Sequence, residues 1–144
     1  MQARKWDLSK DYSTLSEWCK KRKWDSPFPK EVLPSLGIIV EDDNIICAAG
    51  LYIDKQSNFG YMYGIFSCPG IGKIKLFKAM KMCVENIKKE AENNKLSLVY
   101  TTTGESSLDK LYTKYMGMNV CENNIKSYVM NLKNYKNSTK IWIL

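Results

Sequence analysis

The chain contains no histidine. That absence excludes the Ser/His/Asp and Cys/His triads and the HExxH metal motif together, so any chemistry here runs without imidazole. Cysteine occurs at five scattered positions, Cys19, Cys47, Cys68, Cys83 and Cys121, and never as C-x-x-C. Neither a disulfide framework nor a zinc site is indicated, and reduced, mostly buried thiols are expected. Long hydrophobic runs are missing as well. The opening "MQARKWDLSK" lacks the apolar segment of a signal peptide, and no later stretch approaches membrane-spanning length, so a cytoplasmic protein without membrane contact is expected.

Acid is missing where a helix wants it. Leu76, Ala79, Met80, Cys83, Val84 and Ile87 recur at three- and four-residue spacing, which predicts an amphipathic helix starting near Gly72. The positive end of a helix dipole prefers negative charge. Here the first turns carry Lys73, Lys75, Lys78 and Lys81, and no Asp or Glu occurs between residues 55 and 84. An anion from outside the segment is the expected complement.

What is present suits one globular domain. The 144 residues are 44% hydrophobic and 26% charged, enough for one core and too few for two ordinary ones. Residues 1–132 are read as the domain and 133–144 as a tail. The net charge of +7 invites a nucleic-acid partner, but no helix-turn-helix, RNP-type or zinc-finger pattern accompanies it. Lysine and asparagine recur throughout, so the charge is read as solubility and nucleic acid is not expected as a partner. The run "KKRK" at 20–23 closes a helix, where cations complement the dipole.

The elements alternate. Arg4, Trp6 and Leu8 predict a short first strand, and 11–23 a helix with a capping box at Thr14 and Glu17. The proline-rich 24–34 reads as a loop with at most one short turn. A three-strand meander follows, with turns at 41–44 and 55–58 and the third strand in "FGYMYGIFS". Next come the helix from Gly72, a buried strand over 96–102, a helix over 107–115 ending near Gly117, and a hairpin around Asn123-Asn124. The class is α/β, a mixed sheet flanked by helices, with a central parallel pair over 59–67 and 96–102.

A strand handing over to a helix N-terminus is where phosphates bind, because free N–H groups point outward there. Gly70 and Gly72 lie at that handover. The dinucleotide fingerprint lacks its third glycine, and a P-loop needs Ser or Thr where Ile74 follows Gly72-Lys73. A flexible turn and a solvated lysine face remain the plain alternative.

The order of elements, with "WCKKRKW", "LPSLGIIV", "ICAAGLYID" and "TTTGESSLDKLYTKYMGM", resembles a GNAT-type N-acetyltransferase, and more closely the small GNAT-like proteins encoded by bacteriophages. That family's loop has the form Gln/Arg-x-x-Gly-x-Gly/Ala. The stretch from Ser67 through Gly70, Ile71 and Gly72 keeps both glycines and replaces the first residue by serine. The resemblance implies a splayed parallel pair and acetyl-CoA as co-substrate. Its pyrophosphate would sit on the N–H groups of residues 70–73, beside Lys73 or Lys75, and its pantetheine arm along the backbone of Ile65, Phe66 and Ser67. Ile65 has an equally plain use as core. For the proton returned to the thiolate the resemblance points to Tyr112, with Tyr115 as competitor, and for a base to Glu105 or a relayed water. Core packing is the alternative for both tyrosines, which share a predicted helix face with Leu108 and Leu111, and an ordinary loop acid is the alternative for Glu105. The implied activity is acetyl transfer to an amine, such as a protein lysine or N-terminus. A fold kept for binding a host or viral partner is the alternative. The apolar end Ile141, Trp142, Ile143 and Leu144 is expected to dock on its own domain or on a second copy in a homodimer.

Overall fold

A computed structural model describes residues 1–23, 29–103 and 106–121. Glu105, the hairpin at Asn123-Asn124, the domain end at 132 and the apolar tail lie outside the described residues. Five strands form one sheet in the order β1 (Gln2–Lys5), β2 (Leu36–Glu41), β3 (Ile45–Asp54), β4 (Phe59–Ser67), β5 (Leu98–Tyr100). The first four are antiparallel to their neighbours, and β4 and β5 are parallel. The expected mixed sheet with one parallel pair is therefore present, though β5 is shorter than the 96–102 read from its apolar run.

Both faces of the sheet are covered, which is why β2 and β3 read as continuous apolar runs rather than alternating ones. Helix α2 (Lys73–Asn93) covers one face. It buries Ala79, Cys83, Val84, Ile87 and Ala91 against Ile38, Val40, Leu51, Met62 and Ile65. Small residues at 79 and 83 allow close approach, and the Cys83 thiol reaches the Ile38 carbonyl at 3.7 Å. Helix α1 (Leu8–Lys21) covers the other face with Leu15, Trp18 and Cys19, packed with Trp6, Ile39, Ala48 and Phe66. Trp6 lies flat over the cross-strand pair Gly37 and Gly50, where any Cβ would collide with its ring. The thiols of Cys19, Cys47 and Cys83 are buried, Cys68 is half-buried, and Cys121 is exposed. No described helix is long and apolar enough to cross a membrane.

The start of α1 departs from the expected capping box. The helix is capped by Asp7, whose carboxylate accepts the Ser9 N–H at 3.0 Å, so Thr14 and Glu17 lie inside it and Glu17 pairs with Lys21 at 2.7 Å. The first strand likewise stops at Lys5, leaving Trp6 as the junction and Leu8 as the first helical residue. A cap was available earlier than the Thr14 pattern, and tertiary contacts hold it there. Asp11 accepts the Asp7 N–H at 2.7 Å and takes both terminal nitrogens of Arg4 at 2.9 Å, while Arg4 also reaches Glu41 at 3.0 Å. This fork ties β1, β2 and α1 together. The proline-rich loop contains one described turn, a 3-10 turn at Lys30–Val32.

Asp11 is buried, and the Arg4 guanidinium holds its carboxyl below the ordinary value of 3.8. The unfolded chain therefore takes up this proton more readily. The stability that Asp11 adds is complete above the ordinary value and is lost as pH falls through the lower, folded one. Asp11→Asn should cost about 1.5–3 kcal/mol at neutral pH and flatten the acid limb of a melting-temperature profile. An unchanged profile would remove the pair from the stability account.

Candidate active site

The site grows from a mismatch in β4. Ala48 and Gly50 of β3 pair with Phe66 and Tyr63, so the single residue Ala49 faces two, Gly64 and Ile65. Gly64 has φ +51°, a conformation that costs a side chain but not glycine. The extra residue resets the alternation. Met62 and Ile65 both face α2, whereas Tyr63 and Phe66 both face α1. Ile65 and Phe66 are thus core side chains, and only their backbone is available to a ligand.

Beside the bulge, β4 and β5 part. Their backbone pairing ends at Tyr61 with Tyr100, while β4 runs on to Ser67 without a strand on that edge among the described residues. Side chains span the gap where it opens. Thr101 Oγ1 donates to the Met62 carbonyl at 3.0 Å, and Tyr61 Oη lies 3.2 Å from Thr102 Oγ1. From Ile65 on, the β4 edge offers its backbone groups to an extended ligand.

The phosphate-type turn follows directly. The Cys68 N–H still bonds the Ile46 carbonyl at 2.8 Å, extending the β3 ladder one residue past β4. Gly70 then turns with φ +82°. Gly72, the N-cap of α2, has φ −58°, and a Cβ there would meet nothing within 4 Å. Neither backbone conformation nor crowding within the protein requires glycine at 72; as N-cap it leaves the space in front of the helix start open. No side chain caps α2, its first turn holds no acid, and among the described residues the N–H groups of residues 70–75 have no acceptor. Ile71 packs against the α2-side core.

The two candidate lysines are placed differently. Lys75 pairs with Asp42 at 2.9 Å, and Asp42 also takes the amino terminus at 3.3 Å. The β2–β3 turn thus supplies one carboxylate of the kind that the helix start lacks. Lys73 has no ion pair among the described residues. Both border an open depression of about 820 Å³, with Gly72, Lys78 and Asp42, to which β4 and β5 contribute nothing.

The last described helix separates the two tyrosines. After α3 (Ser106–Lys110) the chain widens into a π-helical turn at Leu111–Tyr115, and Gly117 at φ +65° ends it as expected. A turn closed i to i+5 advances less per residue than an α-helix, so positions three apart no longer stack. The shared face expected for Tyr112 and Tyr115 is therefore broken. Tyr112 is 6% exposed and packs in the α2-side core, with its phenol in hydrogen-bonding contact with Thr101. Burial pushes the Tyr112 phenol well above its ordinary value, so it holds its proton at neutral pH. Tyr115 is 48% exposed and sets its ring edgewise on Phe77 of α2, with centroids 5.0 Å apart. Of the expected residues, the fold brings Tyr112 to the fork between β4 and β5 and places Tyr115 on the outside of α2. Sequence reasoning missed Thr101, Asp42 and Arg22, whose Nη2 donates to Ser67 Oγ at 2.8 Å. No described group of His, Cys, Asp and Glu has the makings of a metal centre.

Gly64→Ala isolates the bulge. A Cβ at 64 would make only ordinary contacts, at 3.8 and 3.9 Å to Phe66, so the penalty is conformational. A loss of about 1–2 kcal/mol in chemical denaturation is expected. A neutral result would mean that β4 does not depend on the left-handed residue.

No family model matches the sequence, and no curated protein matches it. Solved structures do match by fold. One titled a probable acetyltransferase has 11% identity and a TM-score of 0.62, over 93% of this chain and 99% of that one. A Mycobacterium tuberculosis protein in complex with CoA has 11% identity and a TM-score of 0.62, over 88% and 77%. An aminoglycoside N-acetyltransferase in complex with CoA has 14% identity and a TM-score of 0.62, over 90% and 100%. At such identities the likeness is one of architecture, and that architecture, a five-stranded mixed sheet opening between its parallel strands, is the GNAT acetyltransferase fold.

Proposed function

We propose that this protein is an acetyl-CoA-dependent N-acetyltransferase acting on an amine. The observation that carries the reading is the turn at residues 70–75, whose N–H groups have no acceptor among the described residues, with open space at Gly72, at the end of a strand that pairs with β5 only as far as Tyr61 among the described residues. Donors with no acceptor among the described residues suit the pyrophosphate of coenzyme A, assisted by the α2 dipole and by Lys73. Lys75 would join only by sharing its charge with Asp42. The edge of β4 at Ile65, Phe66 and Ser67, which no described strand covers, suits the amide-bearing pantetheine arm, which would add to the sheet like a strand.

When bound, acetyl-CoA supplies an activated acetyl thioester. The chain's part is to hold it and to manage protons. Tyr112, protonated at neutral pH, is the donor for the departing thiolate, with Thr101 orienting its phenol. Tyr115, half-exposed and set against Phe77, is the competing donor. Strand β4 offers no carboxylate, so the amine's proton must pass to Glu105 or to water. A protein lysine or N-terminus is the acceptor class in this reading. The setting is cytoplasmic, and the resemblance to small phage proteins makes it that of a phage host.

A second reading keeps the fold for binding a partner. The acid-free β4 and the serine at position 67 favour it. Calorimetric titration with acetyl-CoA, followed by thiol release in the presence of amines, separates the two. Binding with turnover supports the enzyme, binding without turnover supports the alternative, and no binding overturns both uses of the site. Gly72→Asp should weaken acetyl-CoA about tenfold or more, since removing one charge-assisted hydrogen bond costs about 1.5–3 kcal/mol. Tyr112→Phe should lower kcat about 100-fold with little change in affinity, the size expected for loss of a general acid.

A further inference from the structure

Two successive threonines serve the two faces of the fork between β4 and β5. Backbone pairing ends at Tyr61 with Tyr100. The next residue, Thr101, turns to the α2 side, where it bonds the Met62 carbonyl at 3.0 Å and is in hydrogen-bonding contact with Tyr112. Thr102 turns the other way, and its Oγ1 lies 3.2 Å from Tyr61 Oη. The α2 side is closed, because Leu111 and Tyr112 are buried there in one core with Met62 and Cys83. The opposite side is less filled. The apolar cluster beneath α1 takes in Ala48 and Phe66 and is bordered by Tyr63, but it includes neither Tyr52 nor Tyr61, and both of these are half-buried. Tyr61 stands in a row between Tyr52 of β3 and Tyr100 of β5, with ring centroids 6.3 and 6.2 Å away and planes inclined by 27° and 30°. Tyr52 is itself tied to the Val32 carbonyl at 2.6 Å, so the row is anchored. The hydroxyl pair of Tyr61 and Thr102 has no further hydrogen bond among the described residues.

We propose that the acceptor amine reaches the fork from this second face, and that Tyr61 Oη, positioned by Thr102, accepts one of its N–H groups and so orients its lone pair toward the thioester. This rests on the coenzyme A reading above, in which an arm running from the turn at Gly70 back along Ser67, Phe66 and Ile65 ends at the fork. With the α2 side closed, the tyrosine side is the one from which a second reactant can approach. A phenol that shares one hydrogen with a threonine keeps oxygen lone pairs for another donor. One phenol then stands on each face, Tyr112 buried on the α2 side and Tyr61 on the other. Tyr61 orients the amine and takes no proton from it, so the proton still passes to Glu105 or to water. The aromatic row also selects a substrate class. Tyr52 and Tyr61 offer apolar ring surface beside the hydroxyl pair, which suits an aliphatic primary amine such as a lysine side chain, with its methylenes along the rings.

The test is the affinity of the intact protein for two probes, read by calorimetry. One is coenzyme A, and the other a conjugate in which a CH2–CO–NH link joins its sulfur to the side-chain carbons of an Nα-acetylated lysine amide. The conjugate should bind wild type about tenfold or more tightly than coenzyme A does, because its methylenes and its N–H meet the tyrosine face. Tyr61→Phe keeps the ring row and removes only the hydroxyl. It should leave coenzyme A affinity within about twofold of wild type and weaken the conjugate about fivefold, the effect of one neutral hydrogen bond. Thr102→Val should weaken the conjugate about threefold by the same measure, Thr102→Ser should restore it, and this pair keeps the idea testable if Tyr61→Phe does not fold. A Tyr61→Phe loss shared equally by both probes, no loss for the conjugate, an unaffected Thr102→Val, or a serine that fails to restore what valine removes would each overturn the role of the pair. Wild type that binds coenzyme A and gains nothing from the conjugate would overturn the acceptor face. Failure of the wild type to bind coenzyme A would instead overturn the cofactor reading on which the proposal rests.

Discussion

Opposite Ala49, β4 carries one residue more than β3 can match, and Gly64 absorbs it in a conformation that a side chain would resist. The two halves of the core and the candidate site all depend on that extra residue. Without it, Ile65 and Phe66 would exchange faces, each leaving the helix it packs against. With it, Ile65 joins Met62 under α2 and Phe66 joins Ala48 and Ile39 under α1. The strand also stops pairing with β5 next to the bulge, and so leaves a polar backbone edge that no described strand covers. An unpaired edge at depth is costly unless a ligand or solvent satisfies it.

Charge is organised around the same strand end. The first turn of α2 has lysines and no acid, and the β2–β3 turn brings Asp42 to it. Asp42 partly neutralises Lys75 from the β2–β3 turn. Among the described residues the N–H groups of residues 70–75 have no acceptor, and a helix start in that state favours negative charge. The Arg4, Asp11 and Glu41 fork fastens α1 to β1 and β2, and Asp42, the next residue along, reaches Lys75 at the start of α2.

Much of this was legible in the sequence. The meander, the helix from Gly72 and the parallel pair follow from periodicity and turn residues, which are local and were sufficient. Gly70 could be named because a turn there needs positive φ. Local rules erred where a tertiary contact chose between two local options. Asp7 rather than Thr14 caps α1, because Arg4 and Asp11 anchor that end. Tyr112 and Tyr115 share a face in an ideal helix, but the π-helical turn separates them, and no residue type announces such a turn.

By itself, the sequence determined the class of fold, the position of the acid-free helix start, and the exclusion of imidazole chemistry. Each depends on residue type and spacing within a few turns of chain. Tertiary structure alone decided that β4 bulges at Gly64, that Thr101 sits between Met62 and Tyr112, that Lys75 is shared with Asp42, and that Arg22 reaches Ser67. These contacts join residues up to 45 positions apart, and what sets them is strand register and the packing of α1 and α2 on opposite faces of one sheet. Spacing along the chain carries no record of that register.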